Sequence, residues 1–312
     1  MSEAAESNIA GSVDGVLTGR PRPCPLCGSS EAAPLLRVPL PAVIAVNPYY
    51  EPAHVAALIE RFGTDAAQVV SRCARCAADY ASDPVADDDL AFMYALVNTS
   101  AGATTKPFAW DLRVARTRVW LGLLTLLARA RPGRIDVRVL DLGCGWGDVL
   151  AIARAPGVTT VGVELNAEQA EHARSFGAVV VGDVADIAAH GPFDVVIANQ
   201  VLEHLERPVE VLSRVAASLR PGAVGFVAVP DFSRFDWAAE QRRVDAGHHV
   251  STKNLHPVEH RTYFSGDSLR ALLTRAGLAE VAWPERDPVW SAARRVKRLV
   301  RGAGTTVFVE KR

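Results

Sequence analysis

An α/β fold built on a parallel sheet, preceded by a small metal-binding domain, is predicted by three features of the sequence. Apolar runs alternate with helical patterns from Val139 onward. The first of these runs ends in a glycine-rich turn, and two Cys-x-x-Cys pairs stand in the N-terminal third. Alternation of this kind lays strands side by side in one direction, with helices on the faces.

In chain order, residues 1–20 are polar, small and glycine-containing, the composition of a disordered tail. A metal-binding domain is expected over 21–100. Cys24-Pro25-Leu26-Cys27 and Cys73-Ala74-Arg75-Cys76 can each turn two thiolates onto one ion, and the two pairs complete a tetrahedral S4 site for zinc. The 45 residues between the pairs must loop out. The alternative is two disulfides. Met1-Ser2-Glu3-Ala4-Ala5-Glu6 is acidic and has no apolar core, so a reducing cytoplasm is expected, and with it zinc. Four thiolates leave no open coordination position, which makes the zinc structural. The small polar run Asn98 to Thr105 marks the domain join, and Trp110 to Ala130 reads as an amphipathic helix opening a second domain over 105–312.

In that domain, Val139-Leu140-Asp141-Leu142-Gly143-Cys144-Gly145-Trp146-Gly147-Asp148 reads as a buried strand, an acidic turn and a helix start. Such a turn lets a ligand lie against bare backbone. The spacing D-x-G-x-G-x-G departs from the dinucleotide fingerprint G-x-G-x-x-G, and Asp141 would repel a pyrophosphate. Thr160 to Glu164 is a second strand, whose terminal acid follows Gly147 by 17 residues and can take both ribose hydroxyls of an adenosine ligand. Ala178 to Val184 and Phe193 to Asn199 are the third and fourth strands, each ending in a polar residue where ligands of open parallel sheets sit. Helices are expected over Asp148 to Ala155, Ala167 to Phe176 and Pro208 to Arg220, the last stopped by Pro221-Gly222. Val224 to Val229 is the fifth strand, and Asp267 to Ala276 a further helix.

This ordered set of motifs, with Asn199-Gln200-Val201-Leu202-Glu203-His204-Leu205 and Leu219-Arg220-Pro221-Gly222, resembles the class I S-adenosylmethionine (SAM) methyltransferases over residues 105–312. The resemblance implies a Rossmann-like sheet, mostly parallel, with Thr305 to Glu310 as an antiparallel strand beside the fifth. It implies SAM as cofactor: Asp141, Gly143, Gly145 and Gly147 around the methionine part, Glu164 on the ribose with Leu165 beside it, and Asp183 and Val184 near the adenine, with Asn199 and Gln200 completing the site. For Asp183 the alternative is a helix cap, and His204 is read as a structural histidine. The cysteine pairs and Cys73 to Tyr94 resemble the zinc-ribbon leader of some bacterial sugar methyltransferases.

Pro230 to Ser265 is too long for an ordinary connection and holds four of the eight histidines: His248, His249, His256 and His260. Insertions at this end of a sheet usually serve substrates. With Phe232, Phe235, Trp237, Tyr263 and Phe264, the segment is expected to form a lid that walls an acceptor pocket. His256-Pro257-Val258-Glu259-His260 matches H-x-x-E-H, but Thr262 to Gly266 ends any helix too soon for a zinc protease. The methyltransferase resemblance extends to a His before Tyr-Phe-Ser, here His260, Tyr263, Phe264 and Ser265.

The expected reaction is in-line methyl transfer from SAM to a small-molecule acceptor, a hydroxyl of a sugar or secondary metabolite. A hydroxyl benefits from a base near neutrality, and His260, then His249 and His248, are the expected catalytic residues. C- or N-methylation of a nucleotide sugar is the nearest alternative. A second is RNA methylation, with the zinc ribbon as a clamp and the basic run 294–301 in support. A third is a non-catalytic SAM-fold binding module, against which the intact glycine turn, Glu164 and Asp183 argue. A net charge of −1 excludes a general polyanion surface, so nucleic acid is not the expected partner. Nor is a membrane, for no stretch is long and apolar enough to span one. The sequence leaves oligomeric state open.

Overall fold

The computed structural model describes residues 22–40, 42, 52–63, 66–83, 89, 92, 136–154, 156–176, 178–252, 254–255, 259–281 and 304–311. The expected tail over 1–20, the join at 98–105, the helix Trp110 to Ala130, His256 and the basic run 294–301 lie outside these residues. In chain order the first elements are β1 (Ala32–Pro39), α1 (Pro52–Phe62), β2 (Ala67–Cys73), β3 (Asp79–Ala81), β4 (Val137–Leu142), α2 (Asp148–Ala153), β5 (Val158–Val163) and α3 (Ala167–Arg174). Then come β6 (Val179–Val181), β7 (Phe193–Asn199), α4 (Pro208–Ala217), β8 (Leu219–Pro230), α5 (Trp237–Asp245), β9 (Thr262–Tyr263), α6 (Gly266–Arg275), β10 (Leu278–Glu280) and β11 (Gly304–Lys311). Two compact units emerge. The first draws on Met1–Thr105, Glu203–Glu206 and Phe232–Ser268, the second on Lys106–Leu202, Arg207–Asp231 and Leu269–Arg312.

The first unit is a four-stranded antiparallel sheet in the order β1-β2-β3-β9. Its last strand comes from the long segment after β8, pairing Tyr263 with Asp79 and Thr262 with Tyr80. Leu36, Val38 and Val70 of the sheet pack on Phe232, Trp237, Val244, Val250, Leu255 and Tyr263. Phe232 stacks on Trp237 with ring centroids 5.8 Å apart, and Tyr263 meets both rings edge-on. The Trp237 indole donates to Asp79 at 2.9 Å, and the same carboxylate takes both arms of Arg72 at 2.7 and 2.9 Å. Burying each large side chain here is worth about 1.5–3 kcal/mol.

This packing changes the reading of the segment from Pro230 to Ser265. Phe232, Trp237 and Tyr263 are buried in the first unit's core, so their surface is spent there rather than on the wall of an acceptor pocket; Phe264 is buried as well. The small sheet alone has too little apolar area to close a core, and the long segment supplies it. Glu203–Glu206 joins the same unit through specific bonds. The Arg261 amide donates to the Glu203 carbonyl at 2.6 Å, and the Glu206 carboxylate bridges Arg22 and Arg261 at 3.0 and 3.1 Å.

The second unit carries a seven-stranded sheet in the order β10-β11-β8-β7-β4-β5-β6. Strands β8, β7, β4, β5 and β6 are parallel, while β11 lies antiparallel to β8 and β10 antiparallel to β11. The chain starts at β4, steps outward to β6, then returns to β7 on the other side. That reversal, between β4 and β7, is the switch point at which open parallel sheets generally take their ligands. The inner strands read as unbroken apolar runs because both faces are covered. Val137, Val139, Val195, Ile197, Val224, Phe226 and Phe308 fill one face together with Val149 and Ala153 of α2. One local expectation fails: α4 ends at Ala217, not Arg220, and Pro221-Gly222 falls within β8. The register against β7 slips there, from Phe193 opposite Leu219 to Val195 opposite Val224. A residue without an amide hydrogen fits such a slip.

Candidate active site

The β4–α2 turn in the second unit is shaped by contacts that exclude side chains. Gly143 has φ +68°, and a Cβ there would stand 2.7 Å from Val201 Cγ2. Gly147 has φ +82°, and a Cβ there would lie 2.9 Å from both Cα and Cβ of Ala173 in α3. Glycine is required at both on steric and conformational grounds. Between them, the Gly145 amide donates to Glu164 Oε2 at 2.9 Å, and the Asn166 amide donates to Oε1 at 2.8 Å. Glu164 thus fixes the turn from the tip of β5. Each carboxylate oxygen has two lone pairs, so both can still accept from ligand hydroxyls.

Asp141 is buried under the turn. Its carboxyl is held well above the ordinary carboxylate range, first by burial and then by the charges of Asp148 and Glu164. Three acidic groups around one open turn favour a cationic ligand. Leu165, directly after Glu164, is 82% exposed, an isolated apolar surface at the strand tip. Asp183 caps the 3-10 turn Val184–Ala189 through Oδ1, which accepts from Ala185 at 2.7 Å. The cap foreseen as an alternative is therefore present. Asn199 ends β7, and Gln200 has φ +56° with its amide donating to the Ala228 carbonyl at 2.8 Å. Asp141, Gly143, Gly145, Gly147, Glu164, Leu165, Asp183, Val184, Asn199 and Gln200 accordingly all lie at or just beyond the carboxyl ends of β4 to β7.

In the first unit the three expected histidines separate. His248 and His249 follow α5 and are exposed. Their segment is held through backbone groups, the His248 amide on the Arg243 carbonyl and the His249 carbonyl on Arg243 Nε. His260 is only 9% exposed, and its Nδ1 lies 2.8 Å from the Asn254 carbonyl. A carbonyl can only accept, so Nδ1 carries a proton. The ring stands edge-on to His204, with centroids 4.7 Å apart. His204 Nε2 lies 4.0 Å from Glu203 Oε1. Glu203 is 1% exposed, neither carboxylate oxygen has a hydrogen-bond partner among the described residues, and burial pushes its pKa up to about 8. The sequence marks Glu203 and His204 only as part of a motif, in which His204 reads as structural. Glu-His in the short 3-10 turn after β7, with His260 far along the chain, gives no periodic signal of convergence.

The four paired cysteines converge in the same unit. Cys24 and Cys76 sulfurs are 3.5 Å apart, as are those of Cys27 and Cys73, and all four lie within 4.8 Å of one another. None is disulfide-bonded. Tetrahedral zinc with bonds of about 2.3 Å spaces its sulfurs by just under 4 Å, so the set fits. The Gly28 amide closes the first knuckle on the Cys24 carbonyl at 2.8 Å, and the Ala77 amide closes the second on the Cys73 carbonyl at 3.0 Å. Burial raises the Cys73 thiol, but hydrogen bonds from the Cys76 and Arg75 backbone and the neighbouring thiols outweigh it, bringing it to about 7.

Residues 112–282 match the family model described as a methyltransferase domain. A trans-aconitate 2-methyltransferase of Methylobacterium nodulans is 31% identical over 202 residues, covering 62% of this chain and 77% of that protein. A ubiquinone biosynthesis O-methyltransferase of Vibrio parahaemolyticus is 32% identical over 108 residues, covering 32% of this chain and 46% of its own length. Among solved structures, the SAM-bound magnesium protoporphyrin IX methyltransferase of Synechocystis PCC 6803 aligns with a TM-score of 0.46 at 14% identity, covering 73% of this chain and 99% of that one.

Proposed function

The chain belongs to the methyltransferase-domain family and is a SAM-dependent methyltransferase, and from that premise we propose that it methylates a hydroxyl of a small molecule, a sugar or secondary metabolite. The observation that carries the cofactor assignment is the turn in which Asp141, Asp148 and Glu164 surround glycine backbone. SAM brings an ammonium and a sulfonium, the charges such a turn favours. We assign the ribose hydroxyls to Glu164, the methionine part to Asp141 and the turn of Gly143, Gly145 and Gly147, and the adenine to Leu165, Asp183 and Val184. Asn199 and Gln200 complete the set. The relatives named for trans-aconitate and for O-methylation in ubiquinone biosynthesis support a small oxygen acceptor.

The transfer itself is a displacement. The acceptor oxygen attacks the methyl carbon, the S–CH3 bond breaks, and its electron pair stays on sulfur to give S-adenosylhomocysteine (SAH). The acceptor hydroxyl must lose its proton. We assign its activation to His260 alone of the expected histidines, because it is nearly buried and its Nδ1–H bond to Asn254 fixes the ring, making Nε2 the basic nitrogen of the neutral form. In the neutral ring, Nε2 takes that proton. Cys24, Cys27, Cys73 and Cys76 are assigned to one structural zinc, which anchors the first unit and has no part in the transfer.

Calorimetry with SAM and SAH, followed by turnover of SAM against a panel of demethylated sugars and phenols, tests the reading. Binding of both cofactor forms and conversion of a hydroxyl acceptor is the expected result. Binding of NAD in preference to SAH would overturn it.

A further inference from the structure

Three successive residues of the glycine turn are each held from β5 or α3. The Gly145 amide donates to Glu164 at 2.9 Å, the Trp146 carbonyl lies 3.0 Å from Nδ1 of His172, and Gly147 packs on Ala173. We propose that His172 is a positioning residue for the cofactor: it fixes the Trp146–Gly147 peptide and so sets the affinity for SAM and SAH without touching either. The inference rests on the assignment of the methionine part of SAM to this turn, and it names a residue outside the cofactor contacts on which that site depends.

The composition of the turn creates the need for such a residue. Trp146 stands between Gly145 at φ +52° and Gly147 at φ +82°. Glycine meets little steric resistance to rotation, so the peptide between Trp146 and Gly147 keeps one orientation only if its polar groups are bound. In a trans peptide the C=O and N–H point opposite ways. Here the Gly147 N–H donates to the Cys144 carbonyl at 2.9 Å, and the Trp146 C=O faces His172. The first bond lies within the turn and moves with it. The second reaches out to a helix and anchors the turn from outside. A carbonyl only accepts, so His172 Nδ1 is the donor.

His172 is itself held in place. The Asn166 side chain caps α3 by accepting from the Gln169 amide at 3.0 Å, and the Asn166 amide donates to Glu164 Oε1 at 2.8 Å. The helix that carries His172 therefore starts from the residue that holds Gly145. Phe176, four residues after His172, meets its ring edge-on with centroids 5.3 Å apart. The Trp146 indole meets the same ring edge-on at 5.4 Å. The imidazole thus packs against two aromatic rings and gives one nitrogen to the turn. Ring packing and hydrogen bond are separate contributions, and substitutions can divide them. Asparagine keeps a donor near the position of Nδ1 and removes most of the ring. Phenylalanine keeps a ring and removes the donor.

The test measures SAH affinity by calorimetry and Tm by thermal unfolding on the full chain carrying His172→Ala, His172→Asn or His172→Phe. Affinity should follow the donor, and stability the ring. His172→Phe should bind SAH roughly 3–10-fold more weakly, the range for one lost hydrogen bond, with a Tm close to wild type. His172→Asn should bind within about twofold of wild type although its Tm is lower. His172→Ala should show both losses. A merely structural histidine cannot give this crossed pattern, because affinity would then fall with Tm in every variant. Should His172→Phe fail to fold, His172→Asn against His172→Ala decides, since asparagine must restore the affinity that alanine loses. Wild-type affinity in folded His172→Phe, or an asparagine variant that binds no better than alanine, overturns the proposal and leaves the cofactor site standing. If the wild-type chain itself binds no SAH, the assignment of SAM to the turn falls, and the role of His172 falls with it.

Discussion

The Gly145 amide donates to Glu164 Oε2 across 2.9 Å, tying the glycine turn after β4 to the tip of β5. One carboxylate therefore has two tasks, shaping the turn and receiving the ribose. Glu164→Ala should weaken SAH by roughly 1–3 kcal/mol, the range for leaving buried hydrogen-bonding groups without their partner. Calorimetry on the folded variant measures it. Unchanged affinity would remove Glu164 from the cofactor site.

Asp141 gives a pH dependence of known sign. In the free protein its carboxyl holds its proton above the usual 3.8, chiefly through burial. A bound cation favours the ionised form, so SAM binding should release a proton, and SAM affinity should rise with pH up to the raised value of the free protein. SAH lacks the sulfonium and should show a smaller effect. Calorimetry in buffers of differing ionisation enthalpy counts the protons. Asp141→Asn should abolish the release, and equal proton numbers in variant and wild type would show that another group is responsible.

The sheet of the second unit was legible because its cause is local. A run such as Val195 to Ala198 is apolar throughout, since both faces are covered, and Glu164 and Asn199 mark strand ends by being polar there. The first unit was legible only at its cysteines. Its core is long-range: Leu36 and Val70 meet Trp237 and Tyr263, and no periodicity in either stretch announces the other. For that reason the aromatic residues after β8 read as a pocket wall when they are core. The convergence of His204 with His260 was hidden in the same way, since a backbone bond from Arg261 to Glu203 creates it.

Packing of the turn on α3 makes Gly147 intolerant of a side chain. Gly147→Ala sets a Cβ 2.9 Å from Ala173 and places alanine at φ +82°. Overpacking of this kind costs about 1–3 kcal/mol, and the left-handed conformation adds roughly 1–2 kcal/mol. Thermal unfolding should show a lower Tm, and Ala173→Gly should restore part of it in a double-mutant cycle. A variant with wild-type Tm would mean that the turn relaxes at no expense.

Zinc at the cysteines should be stoichiometric and structural. Protein purified without added metal should carry about one zinc at this closed S4 site. Cys73→Ser should lose the zinc and destabilise the first unit, because β2 ends at Cys73 and its knuckle sets the register with β3. Metal analysis with far-UV circular dichroism checks both parts. Zinc-free protein with native stability would refute the assignment.

His260 should stand apart from the other two histidines in turnover. Its side chain is nearly buried, its Nδ1 is committed to Asn254 and its ring stands edge-on to His204, whereas His248 and His249 are exposed and their segment is held through backbone groups. Removing a residue that activates the acceptor proton typically costs about 10²–10⁴ in rate. Single-turnover methyl transfer by His260→Ala should fall by that range with SAH affinity unchanged, while His248→Ala and His249→Ala should stay near wild type. The SAH measurement matters because a collapsed fold would depress both quantities together. If His260→Ala transfers methyl at the normal rate while His248→Ala or His249→Ala does not, the activating residue lies on the exposed segment after α5. The buried cluster would then be a structural feature of the first unit.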